Sequence, residues 1–372
     1  MTTRRDFISA GVKLTAAAGL APLLPIFGAS AAQFGENKSP FANRKLDFRN
    51  VKLPANHGLG GVAIGNAFRP TSDEQAREAM EAAWEAGVRF FDTSPYYGLG
   101  LSERRFGMFL HNKKREDYIL ATKIGRIMKP TSEKQDTMWK DPAPFKYEYD
   151  YSASGTRRSI EDSLQRMGIE SIDIVFIHDL SPDNKEMDWQ EYFKKAEKGA
   201  MPELVKMREE GLIKGWGMGV NRIEPILMAI EASDPDICLT ATQYSLIEHA
   251  DALNRLFPVC EKNNVSLISG APLNSGFLAG IDRYNYSEDV PARHMDKRNK
   301  LRRICEKHNT DLRTAALQFC AAPQVMAAVI PGTRYGSQAK ENVASMQAKI
   351  PAAFWQELKK DRLIEENAPV PM

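Results

Sequence analysis

The chain has 372 residues, 43% of them hydrophobic and 26% charged, and carries a net charge of +2. That balance describes a globular protein with a full core and excludes a disordered or fibrous chain. No basic tract points to nucleic acid or an anionic membrane surface, and no apolar run is long enough to anchor the chain stably in a membrane.

Residues 1–31 read as an export signal. Arg4 and Arg5 precede Phe7-Ile8, an Ala-rich apolar run broken by Pro22 and Pro25 follows, and Ala29-Ser30-Ala31 offers a cleavage site. This is the pattern of a twin-arginine signal, so the export machinery is an expected partner and the periplasm the expected compartment. That route carries proteins already folded, often around a cofactor. Cleavage would leave equal numbers of acidic and basic residues. Residues 32–45 read as a linker, and 46–372 as the folded domain.

The domain opens with two short extended segments, Leu46 to Leu53 and Leu59 to Ile64. Ser72-Asp73-Glu74-Gln75 is a capping box, and Ala76, Met80, Ala83 and Trp84 continue as one helical face to Gly87. The spacing then predicts a strand over 88–93, a helix over 103–110 opened by Ser102, and a strand over 118–123. An insert with Trp139, Phe145, Tyr147, Tyr149 and Tyr151 follows at 124–152. Next come a helix over 156–167 stopped by Gly168, a strand over 172–177, and a second insert at 179–199 with Trp189, Tyr192 and Phe193. The alternation runs on through a helix (202–210), strand (214–220), helix (223–232), strand (239–243), helix (250–262) and strand (265–269). A loop with Tyr284, Tyr286 and His294 precedes helices over 297–307 and 312–320, a last strand over 326–330, and two C-terminal helices.

From Leu59 onward this makes eight buried strands, each followed by a helix. The expected fold is a (β/α)8 TIM barrel with a short N-terminal hairpin and C-terminal helices. An open doubly wound sheet is the rival; no Gly-x-Gly-x-x-Gly follows an early strand to support it. The four cysteines, Cys238, Cys260, Cys305 and Cys320, are widely spaced with no CxxC, which favours buried apolar residues over disulfides or a metal site. No metal is implied.

Four titratable side chains fall at the C-terminal ends of successive strands: Asp92 and Tyr97 after the second, Lys123 after the third and His178 after the fourth. In a barrel these ends meet at one mouth. A tyrosine is a weak acid, with an ordinary pKa of about 10; a nearby ammonium is expected to lower it, with a carboxylate holding the ammonium in place. Such a set suits moving one proton on an alcohol or carbonyl oxygen while a nicotinamide carries the hydride. The bland alternatives are a buried Asp92–Lys123 ion pair, a capped strand end at His178-Asp179, and rim packing at Tyr97.

Phe91-Asp92-Thr93, Tyr97-Gly98, Ser102-Glu103, Ala121-Thr122-Lys123, Ile177-His178, Gly219-Val220-Asn221, Gln243, Ile330-Pro331-Gly332 and Glu341-Asn342 together resemble the aldo-keto reductases over nearly all of residues 46–365. The resemblance implies a catalytic tetrad of Asp92, Tyr97, Lys123 and His178. It implies nicotinamide contacts at Asn221 and Gln243. Further cofactor contacts would fall at Pro272, Leu273, Gly332, Thr333, Arg334, Gln338, Glu341 and Asn342. Tyr97-Gly98-Leu99-Gly100-Leu101-Ser102-Glu103-Arg104-Arg105, Asp150-Tyr151-Ser152 and Asn274-Ser275-Gly276 look most like the D-threo-aldose 1-dehydrogenase branch. That branch implies oxidation of an aldose at its anomeric carbon to a lactone.

Two departures stand out. The aromatic that many relatives stack on the nicotinamide falls at Gly270, and the cations that grip the 2′-phosphate of NADP fall at Gly332 and Gln338. Arg334 is left to pair a phosphate or stack on adenine. Between NAD and NADP these losses tilt the reading towards NAD. The expected function is therefore an exported NAD(P)-dependent oxidoreductase on a small sugar. Trp139 and Trp189 would wall its pocket, and residues 274–296 would cover a retained cofactor. The alternatives are reduction of an aldehyde, ketone or pyridoxal, or a non-catalytic subunit that senses cofactor state.

Overall fold

The computed structural model describes residues 41, 47–48 and 51–371. The expected export segment, and the linker apart from Phe41, lie outside the described residues. Eight parallel strands form the sheet: β3 (Leu59–Gly60), β4 (Phe90–Asp92), β5 (Ile119–Ile124), β8 (Ile174–His178), β9 (Gly215–Val220), β10 (Ile237–Ala241), β11 (Ser266–Gly270) and β12 (Met326–Ile330), each beside the next. The edges meet through parallel bridges, His57 to Val329 and Gly60 to Gly332, so the sheet closes into a (β/α)8 barrel. A short hairpin, β1 (Asp47–Phe48) with β2 (Val51–Lys52), precedes it.

Each barrel strand is buried on both faces, and the period of two sorts its side chains. Phe90, Ile119, Ala121, Ile174, Phe176, Ile237, Leu239, Ile268 and Ile330 form one cluster, joined by Val51 and Leu53. Phe91, Leu120, Val175, Ile177, Trp216, Met218 and Leu267 form another with the helices. The first cluster is the barrel interior. Val51 lies against Gly215, the first residue of β9, so the hairpin closes the N-terminal end. The same parity turns Asp92, Lys123 and His178 inward at the other end.

The helices begin and end where the chain chemistry dictates. Ser72 caps α1 (Asp73–Glu85), accepting from Gln75 N and completing the expected capping box. Ser152 caps α3 (Ala153–Met167), which stops at Gly168 in the left-handed region. Helix α2 (Leu101–Leu110) departs from expectation. Gly100, at φ 98°, is its N-cap, and Ser102 lies inside the first turn. The Ser102 hydroxyl donates to Gly61 O and accepts from Thr93, fastening β3 to β4 rather than opening the helix.

The two inserts are structured. Gly125, at φ 111°, turns the chain out of the barrel after β5 into a hairpin of β6 (Arg126–Pro130) and β7 (Phe145–Tyr149). The second holds α4 (Trp189–Lys198), capped by Asp188, which accepts from Gln190 N and Glu191 N. After α5 (Ala200–Glu209), α6 (Glu224–Ala232) and α7 (Phe257–Lys262), the cover loop leads into α8 (Ala292–Lys307) and α9 (Leu312–Ala321). Helix α8 begins five residues before expectation and contains His294. The chain ends on α10 (Gly336–Gln347) and α11 (Ala352–Lys360).

Helix α2 touches α3 at Gly107, where an added Cβ would lie 2.0 Å from Met167 O. Backbone cannot yield there as a side chain can. Gly107→Ala is expected to cost about 1–3 kcal/mol of stability through overpacking. A thermal melt should show a clear fall in midpoint, and an unchanged midpoint would contradict this contact.

Candidate active site

Asp92 and Lys123 are each the last inward-facing residue of their strand. Lys123 Nζ donates to both Asp92 carboxylate oxygens at 2.8 Å and to Thr93 O at 2.8 Å. Both side chains are almost fully buried. Burial opposes each charge alone, lowering the lysine pKa and raising that of the aspartate, and their mutual attraction opposes both shifts. With two carboxylate oxygens and a carbonyl around the ammonium, the ion pair is the form this geometry favours. Gly219, on β9, faces Phe176 and the lysine stem: a Cβ there would stand 3.0 Å from Phe176 Cβ and in ordinary contact, 3.7 Å, with Lys123 Cδ.

Tyr97 follows β4 through a turn in which its N–H donates to Ser94 O at 3.1 Å. Gly98, at φ 65°, completes the turn against Gly65; a Cβ on Gly98 would fall 2.6 Å from Gly65 O. The Tyr97 ring lies 4.6 Å from Lys123 Nζ and 5.7 Å from the His178 ring. All four sequence-predicted residues thus meet at the mouth of the barrel.

The expectation that Lys123 would lower the Tyr97 pKa is not met. Burial dominates and Asp92 adds to it, so the phenol is held well above its ordinary value. With both carboxylate oxygens on the ammonium, Asp92 cancels the field that the lysine would exert. Tyr97 is a neutral phenol in this state, a proton donor.

His178 is neutral as well. Burial, Arg126 and Lys123 hold its pKa well below the ordinary value. Its Nδ1 faces the Ser94 hydroxyl at 3.1 Å and Arg126 at 3.3 Å. Arg126, the first residue of β6, was not anticipated. Buried to 5% exposure, it donates to Asp179 at 3.0 Å and to the Tyr149 hydroxyl at 3.2 Å, and it lies 4.1 Å from the Tyr96 ring centre. The alternating Phe145-Lys146-Tyr147-Glu148-Tyr149 was the available signal for this hairpin, since period-two aromatics read as a half-buried strand.

A cavity of about 380 Å³ runs from Asp92 and Tyr97 past Gly270 to α10. Pro272, Leu273, Gly332, Arg334, Gln338, Glu341 and Asn342 line it, as the sequence predicts. Three expected cofactor contacts do not. Asn221 donates instead to Asp183 at 3.0 Å, and the Gln243 amide donates to Thr242 at 3.2 Å. The Thr333 hydroxyl donates to Tyr335 O within its own turn. Trp139 packs outside the cavity lining, with ring centres 5.2 Å from Tyr96 and 5.7 Å from Tyr97. Trp189 packs against Phe193 in the helix layer, away from the cavity wall.

The lining at the α10 end of the cavity suits an anionic ligand. The cavity wall at Gly270 is small because a Cβ there would lie 2.9 Å from Leu239 Cδ2, so no aromatic stands at this position without repacking. The cover loop brings Ser275, Gly276, Arg283 and Tyr286 to the wall, and Tyr286 is the aromatic it adds. Arg283 and Arg334 also line the cavity. Burial and neighbouring arginines, Arg69 among them, hold both guanidinium pKa values down, and an anionic ligand would relieve that repulsion.

The sequence pattern of the aldo/keto reductase family matches residues 57–361, and the chain belongs to that family. It is 34% identical over 318 residues to a D-threo-aldose 1-dehydrogenase of a Pseudomonas species, covering 82% of this chain and 94% of the relative. It is 32% identical over 326 residues to a pyridoxal 4-dehydrogenase of Microbacterium luteolum, with coverage of 82% and 94%. Among solved structures, the glycerol dehydrogenase of Gluconobacter oxydans superposes with a TM-score of 0.66 at 21% identity, over 91% of this chain and 98% of that one. The holo form of an aldo-keto reductase from Bacillus halodurans gives 0.65 at 23% identity, over 87% and 98%. These structural likenesses show the fold.

The Asp92–Lys123 pair yields a test independent of substrate. Asp92→Asn leaves a buried ammonium without its counter-charge, and Lys123→Met leaves a buried carboxylate. Each is expected to destabilise by about 3–5 kcal/mol. The double variant should cost clearly less than the sum, as the coupling in a double-mutant cycle of denaturation midpoints. Additive losses would show that the two groups do not act as a pair.

Proposed function

We propose that this aldo/keto reductase interconverts the anomeric hydroxyl of a small aldose and the corresponding lactone, with Tyr97 moving the proton. The observation that carries the reading is the meeting of Tyr97, Lys123, Asp92 and His178 at one end of a cavity whose other end is walled by α10. Burial raises the pKa of the Tyr286 phenol and nearby Asp179 and Asp183 add to it; Asp179 also adds to the burial effect on Tyr97. Carboxylates beside phenols suit the hydroxyls of a sugar. The relationship to a D-threo-aldose 1-dehydrogenase supports the same substrate class.

Bound nicotinamide cofactor supplies the hydride acceptor or donor. The protein orients the reacting oxygen between the Tyr97 hydroxyl and His178 and moves its proton. Because Tyr97 rests as a neutral phenol, it is ready to donate to a carbonyl; oxidation requires it first to lose its proton. Reduction of an aldehyde is the second reading that this protonation state favours, and the pyridoxal 4-dehydrogenase relative keeps an aromatic aldehyde in view.

NAD is the proposed cofactor. The Arg334 fork donates to the carbonyls of Ala67, Arg69 and Pro70, and the Gln338 carbonyl accepts from the Arg334 and Tyr335 N–H groups. Neither side chain is free to grip a 2′-phosphate as a cation would. The compartment is part of the proposal: the twin-arginine signal exports the folded protein with its cofactor held beneath residues 274–296, to be recycled by alternate substrates.

Tyr97→Phe is expected to lower turnover about 10²–10⁴-fold while cofactor titration stays unchanged. Wild-type activity on every tested aldose and aldehyde that survives in Tyr97→Phe would remove the tyrosine from the chemistry. The raised phenol pKa fixes the pH dependence. The phenolate fraction grows with pH, so oxidation should accelerate about tenfold per unit through the neutral range, whereas reduction stays level. Mature protein purified from its export pathway should carry stoichiometric NAD(H), read by absorbance and extraction. An empty protein that binds weakly would end the retention proposal.

A further inference from the structure

Arg126 touches His178 and the residue after it, yet stands outside the set of residues that exchange protons. We propose that Arg126 is a positioning residue that fixes His178 as the neutral tautomer protonated at Nε2, by donating to Nδ1 while holding Asp179 away from the ring. The inference rests on the proposed reaction only for its kinetic consequence.

The argument begins with donors. A guanidinium has N–H groups and no acceptor. Arg126 approaches His178 Nδ1 at 3.3 Å, so a proton on Nδ1 would point at another proton. Ser94 adds to the bias. Its Oγ already accepts from Tyr96 N at 3.1 Å, and with Arg126 donating to Nδ1 its own proton turns to the same atom, 3.1 Å away. Two donors therefore converge on Nδ1, and the imidazole proton is left to Nε2.

Asp179 is the competing partner. Its Oδ2 lies 3.6 Å from His178 Nε2, outside hydrogen-bond reach, and 3.0 Å from Arg126. Asp179 adopts φ 47°, an uncommon backbone state for a non-glycine residue, and its N–H donates to Gly219 O. With Arg126 in place the carboxylate is engaged; without it, the nearest cation to be made is a protonated His178. The ring would then spend its Nε2 proton on Asp179 rather than on a substrate oxygen.

Other groups face the imidazole. Lys123 on β5 adds positive charge, Tyr96 and Tyr97 present ring faces at 6.1 and 5.7 Å, and the Tyr151 hydroxyl donates to the His178 carbonyl. Asp92 is bound to Lys123. None of these places an acceptor on Nδ1. Arg126 in turn is held among the rings of Tyr96, Tyr147 and Tyr149, at 4.1, 5.3 and 5.1 Å, and Tyr147 and Tyr149 both donate to Glu186. The hairpin β6–β7 is thus the element that carries the histidine's second support.

The test is ¹⁵N NMR of the imidazole in wild-type protein, Arg126→Met and Arg126→Lys, assigned by loss of signal in His178→Asn. Wild-type His178 should show an unprotonated Nδ1 and a protonated Nε2, with no titration between pH 5.5 and 8. In Arg126→Met, with Asp179 released towards the ring, the midpoint should rise towards the ordinary value of about 6.5 and into this window, against the burial that remains. Arg126→Lys should restore the non-titrating behaviour. Where turnover is measurable, Arg126→Met should lower kcat for reduction about tenfold or more below that midpoint, with the lysine variant recovering most of it. A wild-type ring protonated at Nδ1, or identical titration in wild type and Arg126→Met, overturns the assignment. The wild-type spectrum needs no substrate and no Arg126 variant, only His178→Asn for its assignment, so failure of the aldose reading leaves it standing.

Discussion

The arrangement of the barrel mouth depends on one contact, the ammonium of Lys123 enclosed by both carboxylate oxygens of Asp92. Neither group would stay charged alone at that depth. Holding them together requires β4 and β5 to sit side by side in a fixed register, with Asp92 opposite Ala121. It also requires β9 to carry glycine at 219, where any side chain would crowd Phe176. The consequence reaches Tyr97. A lysine already neutralised by two oxygens is a poor stabiliser of phenolate, so burial decides the state of the phenol.

The same logic recurs on the other side of the tyrosine. Arg126 and the partly buried Asp179 form a second pair, and burial together with the Arg126 and Lys123 charges keeps His178 neutral. The mouth therefore holds two ion pairs, a neutral imidazole and a neutral phenol. Hydrogen-bond donors of defined direction, rather than net charge, are what it offers a ligand. The other end of the cavity differs: Arg283 and Arg334 line it, and their mutual repulsion and that of Arg69 would be eased by an anion.

Much of this was legible in the sequence because period-two burial is a strong signal. Phe90-Phe91-Asp92 and Ile174 to His178 each end an apolar run on a polar residue of the inward parity, and that alone places both side chains in the mouth. Lys123 follows from Ile119 and Ala121 in the same way. The hairpin and α4 were missed because both begin beside turn-rich segments that look like loop. Arg126 was missed with them: it lies three residues past Lys123 but beyond the turn at Gly125, so it belongs to a different element. Asn221, Gln243 and Thr333 fall where a family pattern puts cofactor contacts, yet their side chains bond to protein neighbours in this structure. Position in sequence fixes the strand end; it does not fix the rotamer.

Gly270 shows how one small residue redistributes a role. A Cβ on Gly270 would lie 2.9 Å from Leu239 Cδ2 and 3.1 Å from Ala241 Cβ, so the end of β11 has no space for a ring without repacking. The aromatic on this side of the cavity comes from Tyr286, on a loop that crosses the mouth and holds φ 73° there. That backbone state is tied by the Tyr286 N–H donating to Ser275 Oγ, while Arg283 spans to the Phe68 ring on the far wall at 3.8 Å. A platform built on a strand is fixed by the barrel ladder; this one depends on the contacts of the crossing loop. The wall of the cavity on this side is therefore complete only with residues 275–286 lying across it.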